Sequence, residues 1–161
     1  MAKAVIFKKR DMSSDISDSG LKYVVPPKLS FEVEAEFDNK IFDQVRKDSI
    51  LLDDMNEDVL VVYKKACKDI EGKLAAFDKL IVGMVDKGED KKDIDKQIDG
   101  LNKAIEKDRD VAEVAAKLAA EKTWKDYAKK KKEYEAYKIK IVVSIVVSIV
   151  GWSPAWPPAS A

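Results

Sequence analysis

The sequence predicts an all-α protein: a long antiparallel helical hairpin or coiled-coil bundle with an apolar C-terminal segment. Three observations lead to this fold class. Charged residues make up 37% of the chain, and a composition rich in Lys, Glu, Asp, Ala and Val is typical of long helices. From Phe37 onward, apolar residues recur at steps of three and four, which is the helical period. Finally, residues 141–150 read IVVSIVVSIV, and no charged residue follows Lys140.

Residues 1–30 are predicted to form an irregular N-terminal segment. Ser, Asp and Gly dominate residues 13–20, and two prolines follow at 26 and 27. Residues 31–37 read FEVEAEF, and this alternation of apolar and acidic residues is a strand pattern over a short window. Because helical spacing follows at once, we interpret residues 31–37 as the start of a helix. The helical hairpin is therefore predicted over residues 31–140.

The first long helix is indicated by one continuous apolar stripe, with a break near residues 53–58. Its turn is predicted at Gly88, because glycine readily takes the left-handed conformation that follows a helix C-terminus. Paired apolar residues such as Leu60 and Val61 make the stripe wider than a two-stranded seam. We therefore expect a homo- or hetero-oligomer that associates through helix packing. The stripe comprises Phe37, Ile41, Val45, Leu52, Met55, Val59, Val62, Ala66, Ile70, Leu74, Phe77, Ile81 and Met84.

A second helix is predicted from Asp90, with no clear stop before Gly151. Its apolar stripe is Ile94, Ile98, Leu101 and Ile105, continued by Val111, Val114 or Ala115, and Leu118. Aromatic residues at 124, 127, 134 and 137 extend one face of the helix. Their helical spacing and the acidic residues between them favour packing in a core or interface over a membrane belt or an RNA-stacking surface.

Residues 141–161 are predicted to form an apolar, Pro-ended tail that contacts either lipid or protein. As a helix, the tail places Ser144 and Ser148 on one face, a small-residue pattern that lets membrane helices pack closely. As a strand, its β-branched residues suit a buried sheet. A full membrane span needs about 20 apolar residues, and Pro154 ends the helical option early. The residues predicted to insert into a membrane or a partner are Ile141, Val142, Val143, Ser144, Ile145, Val146, Val147, Ser148, Ile149, Val150, Trp152 and Trp156.

Lysines cluster just before this tail. They allow two interpretations: a collar attracted to anionic lipid headgroups, worth about 1 kcal/mol for each basic residue near such a surface, or a solvated helix face. The collar comprises Lys129, Lys130, Lys131, Lys132, Lys138 and Lys140.

The composition argues against several classes of function. The chain has no His and a single Cys67, so the usual general base and commonest metal ligand are missing, and no disulfide forms within the chain. No phosphate-binding glycine loop, nucleophile elbow or calcium-loop spacing occurs. With 30 basic and 30 acidic residues, the chain lacks the basic excess of nucleic-acid-binding domains. We therefore expect no enzyme, cofactor, metal, nucleic acid or small-molecule substrate.

The N-terminus lacks the apolar stretch of a secretory signal, since only four apolar residues precede the charges of MAKAVIFKKRD. We expect synthesis in the cytoplasm without a signal peptide, followed by release and association with target-cell membranes.

A long charged helical hairpin with one apolar segment at its far end resembles the α-helical pore-forming toxins of the cytolysin A and xenorhabdolysin type. The resemblance is architectural and covers residues 37–152. It implies an apolar element that is shielded in the soluble form and inserts on contact with a membrane or a partner subunit. That role would fall on residues 141–152.

Two hypotheses follow. The first is a membrane-active helical subunit of a multi-subunit pore-forming cytolysin. The alternative is a non-enzymatic coiled-coil scaffold or assembly protein whose apolar tail packs into a partner protein. Dependence on lipid separates the two.

Overall fold

A long helical hairpin packs against an antiparallel sheet. The computed structural model describes residues 1–16 and 20–152, and only the backbone of Trp152. The described part is 63% helix and 19% strand. Its strands and α-helices are β1 (Ala2–Lys9), β2 (Val24–Val25), β3 (Leu29–Phe37), α1 (Asn39–Lys47), α2 (Ser49–Asp86), α3 (Lys91–Lys130), β4 (Lys140–Val147) and β5 (Gly151–Trp152).

Helices α2 and α3 form the predicted antiparallel hairpin, and its turn lies at the predicted position. Gly88 has a φ of 69°, a left-handed conformation that glycine adopts without strain. The amide of Gly88 donates to the carbonyl of Val85 at 2.9 Å, which closes the end of α2. The Asp90 carboxylate accepts from the amide of Lys92 and caps the start of α3. The hairpin and its turn near Gly88 are therefore confirmed.

The all-α prediction is wrong, because the chain also forms a three-stranded antiparallel sheet in the order β1-β3-β4. Residues 31–37, interpreted as a helix start, lie in the central strand β3. The period-two alternation explains this: the apolar residues from Leu29 to Phe37 are at most 2% exposed and face the helices, while the glutamates between them face outward. The helical spacing that begins at Ile41 belongs to the next element.

The N-terminal residues also differ from the prediction of an irregular segment. Residues 2–9 form β1, which pairs with β3. Its register shifts between Val5 and Phe7, so Ile6 forms a β-bulge. The Asn56 side chain donates to the carbonyl of Ile6 at 2.7 Å. Because this partner lies on α2, fifty residues away, the strand is fixed by tertiary contacts that a local pattern does not reveal.

The second helix stops well before Gly151, contrary to the prediction. Helix α3 ends at Lys130, a short 3-10 turn follows at Lys132–Tyr134, and β4 runs from Lys140 to Val147. The part of the tail that the structure describes, residues 141–152, is thus mostly strand, as its β-branched residues favour. The four-residue repeat IVVS fits this geometry, because it spans two strand periods and so keeps Ile141 and Ile145 on the inner face and Ser144 on the outer face, with valines on both.

Helix α1 is separated from α2 at Asp48, and not within residues 53–58 as expected. The Asp48 carboxylate accepts from the amide of Ile50, from the Tyr127 hydroxyl at 2.7 Å and from the Lys131 ammonium at 2.9 Å. The break therefore lies where one carboxylate both caps α2 and binds the C-terminal end of α3.

The sheet covers the core side of the hairpin. Strand β1 packs on α2, and β4 packs on α3. Residues such as Met55, Val59 and Leu74 are fully buried in this single core. The paired positions that widen the α2 stripe are only partly covered, since Val61 and Leu80 are 67% and 49% exposed. The expected association through helix packing therefore stays a prediction.

Candidate protein-interaction edge

Strand β4 carries most of the predicted insertion residues, and it divides them between two faces. Ile141 is buried, and Val143, Ile145 and Val147 pack against the core. The side chains between them face outward, with Val142 38% and Val146 62% exposed. The outward face comprises Val142, Ser144 and Val146. Strand β4 therefore buries one face in the chain's own fold and leaves the other uncovered.

The remaining insertion residues bind the end of β4 to the body of the protein or lie beyond it. Val150 is 1% exposed, and its amide donates to the Asn102 side-chain oxygen at 2.7 Å. Ile149 is 82% exposed. The Ser148 hydroxyl accepts from the amide of Lys28 at 2.7 Å. The backbone of Trp152 lies in β5, whereas Trp156 lies outside the described residues.

The free edge of β4 is the feature most open to another molecule. Within the described residues, β4 pairs with β3 and ends the sheet. Its register with β3 runs without a shift over eight residues, from Lys140 to Val147. No charged side chain, proline or bulge interrupts residues 141–147. An edge of this kind presents unpaired backbone donors and acceptors, and proteins usually block it with such features.

Helix α3 buries the first part of its predicted stripe, Ile94, Ile98, Leu101 and Ile105, but beside β4 it exposes the large apolar residues of the second part. Val111, Val114 and Leu118 are 59–61% exposed. The helix instead buries its small residues here: Ala112, Ala116 and Ala120 are at most 5% exposed. Alanines let α3 approach the neighbouring layers closely, which turns the larger side chains outward. These three exposed residues are called the α3 stripe below.

A groove of about 540 Å³ lies between α3 and the edge of β4. Its floor includes Val114 and residues 141–143, and its rim carries charges of both signs. The basic rim residues are Lys117 on α3 and Lys140 on β4. The acidic rim residues are Asp110 and Glu113. The open edge and the groove thus form one surface, which Val114 of the α3 stripe also lines.

A buried carboxylate supports the far end of this surface. Asp78 on α2 is 5% exposed and accepts from the amides of Lys22, Tyr23 and Val24 at 2.8–3.1 Å. These residues lead into β2, which pairs with β5 directly after β4. Neither Asp78 nor Asn102 stands out in the sequence, because single polar residues of this kind are frequent along both long helices. Their partners come from distant segments.

The predicted lysine collar is divided in the structure. Lys131 binds Asp48 and lies over the ring of Tyr127, 5.4 Å from its centroid. The hydrogen bond that Lys131 donates to Asp48, followed by its hydrogen bond with Tyr127, raises the pKa of Lys131. The hydrogen bond that Tyr127 donates to Asp48 is the largest cause that lowers the pKa of Asp48. Lys129 and Lys130 end α3, and Lys132 begins the 3-10 turn. Only Lys138 and Lys140 lie next to the tail in the chain.

The aromatic residues that follow one face of the second helix pack within the chain, as expected. Trp124 and Tyr134 are 7% and 4% exposed. The rings of Tyr127 and Tyr134 stack with centroids 5.7 Å apart, and Trp124 meets Phe37 edge-on at 5.9 Å. These rings anchor the C-terminal end of α3 to the sheet.

A second polar cluster lies near β1. The Tyr63 hydroxyl donates to Asp15, and Lys9 approaches the same carboxylate at 3.1 Å. The hydrogen bond from Tyr63 is the main cause that lowers the pKa of Asp15. Burial raises the pKa of the nearby Cys67 thiol, which disfavours the nucleophilic thiolate. The cluster therefore closes the fold around β1 and holds no activated nucleophile.

Other grooves gather acidic groups without a built ligand site. Asp54, Glu57, Asp58 and Asp126 line a groove of about 520 Å³ between α2 and α3. Across residues 1–16 and 20–152, no three His, Cys, Asp or Glu side chains are grouped so that they could hold a metal ion. Within those same residues, no helix is long and apolar enough to span a bilayer.

The chain matches no protein-family profile, no curated protein and no solved structure.

Proposed function

We propose that this protein is a non-enzymatic assembly module that binds a β-strand of a protein partner at the open edge of β4. The observation that carries the proposal is the uninterrupted, uncharged edge of residues 141–147. An extended segment that adds to such an edge gains main-chain hydrogen bonds, and side-chain contacts at alternate positions supply selectivity.

The surroundings of the edge support this role. A strand added beside β4 would bring its outward side chains against Val142 and Val146, both partly or largely exposed. On the helix side, it would cover the groove and the α3 stripe. Full burial of an aliphatic side chain of this size contributes about 1.5–3 kcal/mol. The exposed apolar groups thus offer binding free energy beyond the backbone hydrogen bonds.

The test is binding of extended peptides to the purified chain. Fluorescence anisotropy should detect binding of a labelled apolar β-strand peptide with the sequence of residues 140–147. The same peptide with N-methyl groups on alternate residues keeps its side chains but loses edge donors, so it should not bind. A Val142→Lys, Val146→Lys variant, called the edge-lysine variant below, should bind at least about tenfold more weakly, because edge lysines obstruct strand addition. Equal binding by the variant and the parent chain would contradict the proposal.

A membrane-active subunit of a multi-subunit pore, of the cytolysin A and xenorhabdolysin type, is the second candidate. The observation that favours it is the order of exposed side chains along the chain. The basic Lys138 and Lys140 come first, and the exposed apolar residues Val142, Val146 and Ile149 follow. Basic residues beside exposed apolar ones suit an anionic lipid surface. Insertion would require β4 to separate from β3, because its other face is packed in the core.

Dye release from liposomes separates the candidates. A pore subunit should release dye from anionic vesicles, and the edge-lysine variant should lose that release, since a charge at the bilayer centre costs about 2.5–3.5 kcal/mol on insertion scales. Replacing Lys138 and Lys140 by Gln should weaken vesicle binding, and the loss should shrink in high salt. If the parent chain binds strand peptides and leaves vesicles intact, the assembly role stands and the membrane role is rejected.

A further inference from the structure

We propose that the strand bound at the β4 edge is β4 of a second copy of this chain, giving a two-fold symmetric dimer with a continuous six-stranded sheet. This inference rests on the proposed function and names its partner. In such a dimer two β4 strands run antiparallel, and the helices of both copies lie on the same side of the sheet.

Two outward-to-outward antiparallel registers pair seven residues of each β4 strand, and the sequence of β4 is self-complementary in one of them. Because both helical layers lie on one side of the sheet, outward residues must pair with outward residues. The two-fold axis therefore lies between the two strands, midway between the two copies of one residue. With the axis at Ser144, Val142 lies opposite Val146 of the partner subunit, and the two Ser144 residues face each other. Lys140 then lies opposite Ser148 of the partner subunit, so no charge meets an apolar side chain. An axis at Val143 would instead place Lys140 against Val146 of the partner subunit.

The α3 stripe gives the helical layer a matching contact. Strand β4 crosses α3 with Ile145 near residues 108–112 and residues 140–143 near residues 110–117. An axis at the centre of β4 therefore passes close to Val111 and Val114. Two copies of this helix would meet along side chains that are 59–61% exposed in one chain. In the dimer, these valine and leucine side chains would be buried against each other. Such an interface would explain why α3 buries alanines in its own chain and exposes its larger apolar residues.

The charges around the groove are also arranged for a two-fold partner. Along α3, the acidic rim residues Asp110 and Glu113 come before the basic Lys117, and the second basic rim residue, Lys140, begins β4. A two-fold axis brings the basic end of one copy toward the acidic end of its partner. Asp110 also pairs with Arg109 within the chain at 3.1 Å, so Glu113 is the freer acidic group. Opposite charges across an interface favour the correct register and disfavour others.

The size of the surface suits a dimer better than a single added peptide. Eight residues of strand extend about 27 Å, and a sheet layer with a helix layer is roughly 20 Å deep. The face is therefore roughly 500 Å² in projection, and its rough contour presents more accessible area. Stable interfaces bury about 800 Å² on each partner. Strand and helix layers together reach that scale, whereas the strand alone does not.

Sedimentation equilibrium and light scattering on the intact chain test the dimer. At micromolar concentration the mass should be twice the chain mass of 18.1 kDa. The edge-lysine variant should raise the dissociation constant at least about tenfold, as truncation of central interface residues typically does. Replacing Val111, Val114 and Leu118 by Gln should do the same. The matched control is Val61→Gln, Leu80→Gln, because these exposed α2 residues lie outside the proposed interface.

A cross-link tests the register. In a Cys67→Ala background, Ser144→Cys should form a disulfide-linked dimer under mild oxidation, since directly opposed residues lie about 4.5–5.5 Å apart between their Cα atoms and disulfides need 4.4–6.8 Å. Val5→Cys, on the outward face of β1, should not cross-link. Circular dichroism verifies that each variant keeps its helical content.

The outcomes separate the two proposals. A dimer that dissociates in both interface variants and cross-links at Ser144→Cys supports the inference. A monomer at all concentrations, or a dimer unaffected by those variants, overturns it. If that monomer still binds the strand peptide, the assembly role survives with another partner. If it binds neither itself nor the peptide, both proposals fail.

Discussion

The two edges of the sheet differ in charge, in regularity and in what covers them. Strand β1 carries Lys3, Lys8 and Lys9 and a bulge at Ile6. Strand β4 has an unbroken register and no charge after Lys140. Each edge strand packs over one helix of the hairpin, β1 over α2 and β4 over α3. Their contrast therefore arises from local sequence and not from their place in the fold.

The comparison shows how a small sheet can direct association to one side. At β1, Lys3 and Lys8 pair with glutamates of β3 at 3.6 and 3.7 Å, and the bulge is held by Asn56 on α2. Edge lysines and bulges are common devices against strand addition. At β4 the devices are missing, and the helix beneath exposes apolar residues as well. Because β1 is protected against strand addition, the unprotected edge of β4 indicates where association would occur.

The largest effect should come from the buried face of β4. Ile141→Ala should lower the free energy of unfolding by about 2–4 kcal/mol, because it removes three carbons from a packed core. Val146→Ala removes exposed carbons of the same strand and should change it by no more than about 0.5 kcal/mol. Urea unfolding at concentrations below dimer formation measures both. Equal losses of unfolding free energy would contradict the assignment of Ile141 to the buried face of β4 and of Val146 to its exposed face.

The next largest effect should come from Asp78, which supports the segment that pairs beyond β4. Asp78→Ala leaves three backbone amides without their acceptor, and hydrogen bonds to a charged group contribute about 1.5–3 kcal/mol. We expect a loss of about 2–3 kcal/mol in unfolding free energy, together with faster hydrogen exchange at Lys22, Tyr23 and Val24. The control is Asp86→Ala at the exposed end of α2. Unchanged exchange at those amides would contradict the anchoring role.

Much of the hairpin could be predicted from sequence, because its determinants are local. The helical period from Ile41 to Ile81 and the left-handed glycine at 88 act within a few residues. The sheet could have been predicted in part. The alternation in residues 31–37 gave the correct signal, and the helical pattern that followed it obscured the boundary. For residues 141–147, composition left helix and strand open, and only the pairing with β3 decided between them.

The interaction surface was less accessible to sequence reasoning. A helix normally buries its larger apolar residues, so Val111, Val114 and Leu118 were predicted to face the core. Close packing of Ala112 and Ala116 reversed that face, and such packing depends on the neighbouring strands. Likewise, whether Val142 or Val143 faces outward depends on register, since a one-residue shift exchanges the faces of a strand.

A smaller effect should appear at the β1 edge, in the ionisation of Asp15. The Tyr63 hydroxyl donates to this carboxylate and lowers its pKa, so Tyr63→Phe should raise it. Because the folded pKa is depressed, the associated stability is present above the unfolded value of about 3.9 and is lost as pH falls through the folded value. The stability difference between parent and variant should therefore shrink in acid. Carboxyl carbon shifts in NMR titrations measure the pKa. A Tyr137→Phe variant should leave the pKa of Asp15 unchanged.

The smallest effect should follow from removing the lysines that guard β1. Lys3 and Lys8 lie 3.6 and 3.7 Å from Glu36 and Glu32 across the sheet, and exposed ion pairs of this kind contribute about 0–1 kcal/mol. Lys3→Thr with Lys8→Thr should therefore lower the unfolding free energy by at most about 1 kcal/mol. The oligomeric state should also stay the same, because the bulge at Ile6 remains fixed by Asn56 and still interrupts the edge. Sedimentation velocity of the double variant checks this expectation. New oligomers in which β1 participates would show that charge, and not the bulge, keeps this edge closed. Adding Asn56→Ala should then release the bulge and increase association further, whereas the same three changes should leave the cross-link at Ser144→Cys intact.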